Sequence, residues 1–209
     1  MTSVQDGATP GRPVAPRRGR GRRPAAEVRA AVLAATGRLL LEEGLTAVTF
    51  ARVAREAGSS KVTLYKWWPS PGALAAEAYF THSAPVLTFP DTGDIRADLV
   101  AQLTAFVRWL TEDGAAGPVS QLVGAAQTDP HVARAWAERY ARPRRELARR
   151  RLRAAQERGS LRADADLEVV VDQLWGACYH RLLVLREPLE EALVPRLVDQ
   201  ALYGAARAG

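Results

Sequence analysis

Cysteine is almost absent: Cys178 is the only one in 209 residues, which excludes an intrachain disulfide and any thiolate-held metal cluster. Lysine is nearly as scarce, with two residues against 27 arginines, so the positions it does occupy, Lys61 and Lys66, stand out. No uninterrupted apolar run is long enough to span a bilayer, since Asp172, His180 and Arg181 break the most apolar stretch. The Arg-rich N-terminus lacks the apolar segment of a signal peptide. Three scattered histidines give little to build catalysis with, and there is no G-x-S-x-G, P-loop, H-E-x-x-H or dinucleotide fingerprint. An enzyme is therefore disfavoured, and no metal or cofactor is expected. A reducing, cytoplasmic setting away from membranes fits these absences.

What the chain does have is an uneven charge. The formal net charge is +6, and residues 1–23 alone carry six Arg against one Asp. Residues 24–68 are mildly basic, while residues 69–209 balance seventeen Arg with eighteen acids. A basic end on a neutral body is the electrostatic pattern of a polyanion binder. Residues 1–23 have almost nothing apolar to bury and read as a disordered basic arm.

Helical periodicity begins near Ala25, where Val28, Val32, Ala35, Leu39 and Leu40 share a face and Gly44 offers a stop. Thr49 caps a short second helix with Val53 and Ala54 inward, ended by Gly58. Ser60 caps a third, stopped by Pro69, and Ser70-Pro71 opens a fourth. Residues 82–93, with two prolines and an Asp-Thr-Gly turn, separate a first domain (24–81) from a second (94–209). The second reads as long helices: one from Ile95 through Leu110, a shorter one opened by Gly117-Pro118, and one from Asp129-Pro130 to about Arg158 kinked at Pro143. Two more carry the apolar stripes of 167–182 and 194–205. Nothing shows sustained strand alternation, so the fold class is all-α: a three-helix helix-turn-helix domain followed by a helical domain.

The chemistry concentrates in residues 44–74. Two short helices joined by a Gly-containing turn are the sequence form of a helix-turn-helix. Leu64 and Trp68 are spaced to pack against Val53 and Ala54, leaving Ser60, Lys61, Thr63, Tyr65, Lys66 and Trp67 on the outer side. An ammonium at Lys61 suits the acceptor edge of guanine. The hydroxyls of Thr49, Thr63 and Tyr65, with Lys66 beside them, suit phosphate oxygens.

The run Ser60-Lys61-Val62-Thr63-Leu64-Tyr65-Lys66-Trp67-Trp68-Pro69-Ser70, with Val32-Leu33-Ala34-Ala35, Gly44, Thr49, Val53-Ala54, Ala57-Gly58 and Ala73-Leu74 around it, resembles the DNA-binding domain of the tetracycline-repressor (TetR) family over about residues 28–80. The resemblance implies that Thr63 and Tyr65 contact DNA, that Lys61 reads bases and that Thr49 holds a phosphate. Pro71 departs from the family pattern, which often has a phosphate-binding lysine there. In the arm, Arg20, Arg22 and Arg23 lie in a run similar to the Arg-Gly-Arg-Pro cores that enter A·T-rich minor grooves.

Farther along, the resemblance implies a homodimer through the last two helices and a small-molecule effector site between the middle ones. Candidate interface residues are Leu174, Leu182, Leu197, Val198, Ala201 and Leu202. Candidate cavity residues are Trp109, Trp136, Tyr140, Trp175, Tyr179 and His180, although for any single one of them core or dimer interface is the more ordinary reading. The implied function is a regulator, released from a palindromic operator by its effector. A non-specific DNA-architectural protein is the alternative.

Overall fold

The computed structural model describes residues 23–204, which form ten α-helices and no strand among the described residues. Helix α1 (Ala25–Glu43) packs directly on α4 (Pro71–Ser83) and on the first of two short helices, α2 (Phe50–Glu56), which in turn packs on α3 (Lys61–Trp67). The caps are those that the side chains dictate. Thr49, Ser60 and Ser70 each accept a backbone N–H from three residues on, satisfying donors that the first helical turn leaves orphaned. Gly58 lies in the left-handed region at φ 61° and makes the turn between α2 and α3 without the penalty a Cβ would bring. Val32, Leu40, Val53, Leu64 and Leu74 are fully buried together and fasten the two short helices to α1 and α4.

The second domain comprises α5 (Ile95–Thr111), α6 (Ala116–Ala126), α7 (Pro130–Trp136), α8 (Arg142–Glu157), α9 (Leu167–Tyr179) and α10 (Leu193–Tyr203). The single kinked helix expected between Asp129 and Arg158 is divided. A π-helical turn, Ala137–Ala141, separates α7 from α8, and Pro143 sits in the first turn of α8. Proline lacks the N–H that an α-helical ladder needs and its ring displaces the preceding turn, so the register widens just before it. A second π turn, His180–Leu185, follows α9 and ends at Arg186, a non-glycine residue at φ 55°. Arg96 with Asp199 and Arg108 with Glu191 make bidentate ion pairs that lay α10 along α5.

The two domains share one continuous core, because α4 packs on α1 at one side and on α7 at the other. A polar contact adds to this. The Gln121 side chain on α6 accepts the Leu45 N–H at 2.6 Å, and Gly44 lies so close that a Cβ there would stand 2.9 Å from Gln121 Oε1. No helix among the described residues is long and apolar enough to cross a membrane.

Candidate nucleic-acid interface and cavity

Helix α3 is anchored by its underside. Leu64 is fully buried and Trp68 nearly so. The Trp68 indole N–H donates to Glu77 Oε2 on α4 at 2.8 Å, within the core. Glu77 in turn pairs with Arg29 of α1 at 2.5 Å, and the Arg29 guanidinium lies 5.1 Å from the Trp68 ring centroid. A carboxylate this buried needs its charge and lone pairs matched, and here an arginine of α1 and the Trp68 indole supply the match. The triad fixes how α3 leaves the domain surface.

The opposite side is open. Ser60, Lys61, Val62, Tyr65 and Lys66 are exposed, and Thr63 and Trp67 are half-buried. Tyr65 is 65% exposed, yet its ring meets Phe50 edge-on at 4.6 Å, so the phenol is held upright and not left to sweep. The Ser60 hydroxyl accepts the Thr63 N–H at 3.1 Å and lies 2.9 Å from the Thr63 hydroxyl, so both remain at the N-terminal end of α3. Thr49 is exposed, with its hydroxyl oxygen accepting from Arg52 N at 3.2 Å as the cap of α2. Trp67 meets Trp68 edge-on at 5.6 Å, which places it at the margin of the outer face.

Val62 was missed by the sequence reading. At 79% exposed it is the most exposed of the large apolar side chains among the described residues, and it lies between Lys61 and Thr63, where it suits a thymine methyl. Helical spacing carried the signal, since Val62 lies opposite the buried Leu64 side, but valine alone says nothing about exposure. Arg23 reaches the Ala57 carbonyl at 3.5 Å, bringing the chain in beside the turn that precedes α3. Arg20 and Arg22 lie outside the described residues. Pro71 occupies the first turn of α4 and is half-buried, offering no cation.

A cavity of about 450 Å³ opens in the second domain. Trp136, Tyr140, Trp175 and Tyr179 line it, as do Phe106 and the polar side chains Gln102, Arg144 and Arg145. Both π turns contribute to the wall, through Tyr140 and Leu183. Trp136 and Tyr140 stack at 4.4 Å, and Phe106 meets Tyr179 edge-on at 5.5 Å. The Tyr179 hydroxyl donates toward that of Tyr140 at 3.4 Å. Burial pushes both phenols above their ordinary range, so they remain neutral hydrogen-bonding groups.

Trp109 and His180 do not line the cavity. Trp109 stands behind it and donates its indole N–H to the Tyr79 hydroxyl at 2.9 Å, bracing a buried ring that packs on Tyr140. His180 is exposed at the start of the second π turn, on the same helical face as the exposed Gln173 and Gly176. Two of the expected interface residues also lie elsewhere. Leu174 and Val198 are fully buried within the protomer and face its own core. Leu182, Leu197, Ala201 and Leu202 are half-buried, and exposed apolar groups at Val184, Leu185 and Tyr203 accompany them. The correction follows from stripe width: an apolar face wide enough to serve a core and a partner has an inner edge that never reaches the surface.

Residues 32–78 match the family described as bacterial regulatory proteins of the tetR family, and residues 89–201 match the tetracyclin repressor-like C-terminal domain. The HTH-type transcriptional regulator YdeS of Bacillus subtilis is 35% identical, over 83% of this chain and 87% of its own length. The DNA-binding transcriptional repressor TetR of Mycobacteroides abscessus is 30% identical, over 86% of this chain and 94% of its own. Among solved structures, the TetR family transcription regulator SCO0332 superposes with a TM-score of 0.80 at 54% identity, covering 86% of this chain and 99% of that one.

Proposed function

Because the chain belongs to the TetR family of transcriptional regulators, we propose that it is a homodimeric repressor that reads a palindromic operator with α3 and leaves it when a small molecule fills the second domain. The observation that carries this reading is the two-sidedness of α3. Its underside is closed by Leu64 and by the Trp68–Glu77–Arg29 triad, while Lys61, Val62, Tyr65 and Lys66 face outward on a rigid platform. Lys61 in the first turn reads base edges, Val62 adds an apolar contact, and Thr49, Thr63, Tyr65 and Lys66 hold phosphates. Ser60 and Trp67 flank them, and Arg20, Arg22 and Arg23 follow the minor groove from the arm.

Two copies related by a two-fold axis place two α3 helices about 34–36 Å apart, or a multiple of it, on one face of the duplex. The half-buried and exposed apolar residues of α10 and the second π turn supply the dimer surface. An effector that binds better to a state with the wrong spacing lowers DNA affinity by that difference and no more. The protein works where its DNA is, in the cytoplasm.

The test is a genomic footprint followed by gel-shift titration with the operator found. Tyr65→Phe removes one phosphate donor and keeps the Phe50 contact. Tyr65→Ala removes both. Both variants stay helical, and Tyr65→Ala weakens operator binding by roughly tenfold or more, a loss of charge-assisted hydrogen bonding. Operator affinity unchanged in both variants refutes the placement of α3 in the groove. Competition by random duplex within a few-fold of operator points to architectural binding, since specific regulators discriminate by about 10³ or more.

A further inference from the structure

Arg144 is the unusual residue of the cavity wall. It lies on α8 and is half-buried, and among the described residues no carboxylate comes within ion-pair distance of it. Its guanidinium donates instead to neutral oxygens at the end of α4. These are the Ser83 carbonyl at 2.9 Å, the Ser83 hydroxyl at 3.2 Å and the Leu87 carbonyl. It also lies 5.8 Å from the Phe80 ring centroid. Its Nε is buried with no partner. The other lining arginines differ. Arg145 is met by Glu168 and Asp172, which also accounts for the acid in the wall, and Arg142 is exposed.

A desolvated cation without a counterion is electrostatically incomplete. Here it borders a cavity walled by Phe106, Trp136, Tyr140, Trp175 and Tyr179. We propose that the cavity takes a flat aromatic acid, whose carboxylate pairs with Arg144 while its rings lie among these side chains. The same pairing draws Arg144 from Ser83 and Leu87. It therefore loosens the end of α4, the helix that carries Glu77 beneath the recognition helix. Gln102, buried on the wall with a partnerless Oε1, offers a second anchor for a ring hydroxyl or N–H. This inference rests on the effector reading above and adds the chemistry of the effector and the residue that senses it.

The experiment is calorimetric titration of the full chain with 2-naphthoate, its neutral match 2-acetylnaphthalene, and decanoate. Arg144→Met and Arg144→Lys are titrated beside the wild type. The carboxylate binds roughly tenfold or more tightly than the ketone, the worth of one charge-assisted hydrogen bond. Arg144→Met abolishes that preference and Arg144→Lys keeps part of it. Equal affinity for acid and ketone, no binding of either, or a preference undiminished in Arg144→Met overturns the proposal. Decanoate binding as tightly as naphthoate overturns its aromatic half. If Arg144→Met does not fold by far-UV circular dichroism, the acid-to-ketone ratio in the wild type and in Arg144→Lys still decides. Operator binding without ligand is measured separately, so a failed regulator reading shows as lost DNA binding and a failed ligand class as lost discrimination.

Discussion

Replacing Trp68 by Phe removes a single N–H and part of a ring from the underside of α3, and the structure sets what that costs. The indole donates to a carboxylate inside the core at 2.8 Å, and Glu77 is only 8% exposed. Losing a hydrogen bond to a charged group costs about 1.5–3 kcal/mol, and more of it is felt when the group left behind is out of water's reach. Arg29 over the indole face loses part of a cation–π contact worth about 0.5–1 kcal/mol at a partly exposed site. The expected loss is therefore roughly 2–4 kcal/mol, a large share of the 5–15 kcal/mol typical of a domain. For a chain of this length that lowers Tm by about 4–16 °C.

Thermal melting followed by far-UV circular dichroism at fixed protein concentration measures it, the concentration mattering because dimer formation raises apparent stability. The cycle with Glu77→Gln is the sharper assay. If the two side chains act through their contact, the double variant costs less than the sum of the singles by about 1 kcal/mol or more. A Tm drop under about 2 °C, or strict additivity, refutes the claim that this triad seats the recognition helix.

Two further perturbations test other parts of the argument. Gly44→Ala places a side chain at φ 85°, 2.9 Å from Gln121 Oε1, so it strains the backbone and displaces the α6 contact; urea unfolding loses about 1–3 kcal/mol, and an unchanged midpoint shows that the junction relaxes freely. Burial pushes the Cys178 thiol up to about 11 from an ordinary 9.0, so a thiol reagent at pH 8 labels the unfolded chain rapidly and the native one hardly at all. A folded pKa raised in this way contributes stability that is complete below pH 9 and is lost as pH rises toward 11. The buried phenols of Tyr79, Tyr140 and Tyr179, also raised by burial, add to that loss above pH 10, and an alkaline melt that stays flat contradicts both.

How far the sequence could be read depends on which physical signal each feature carries. The first domain was legible almost residue by residue, because its boundaries are local chemistry. Thr49, Ser60 and Ser70 cap where a hydroxyl is needed, Gly58 turns where φ is positive, and Pro71 takes the first turn of α4. The second domain was legible in outline only. Its helices announce themselves by period, but the π turns at 137–141 and 180–185 change that period without any residue that marks them, apart from Pro143. His180, next to Tyr179 in the sequence, lies about 100° farther round the helix, on the side of the exposed Gln173 and Gly176, and so faces solvent.

Aromatic residues posed a second difficulty. Trp109 and Trp136 look alike in the sequence, yet one braces Tyr79 and the other faces the cavity. The distinction depends on contacts between α4, α5 and α7, elements far apart in the chain. Arg144 was hidden for the opposite reason. Among the many arginines of α8 it reads as one more solvated charge, and only the arrival of Ser83 and Leu87 beside it, about sixty positions earlier in the chain, makes it distinctive. A cation is informative when it is desolvated and unmatched, and both conditions are properties of the packed molecule. The same logic explains why Lys61 and Lys66 could be found early. They needed only to be exposed on a helix whose other side was plainly apolar, and exposure is the one environment that a helical pattern does predict.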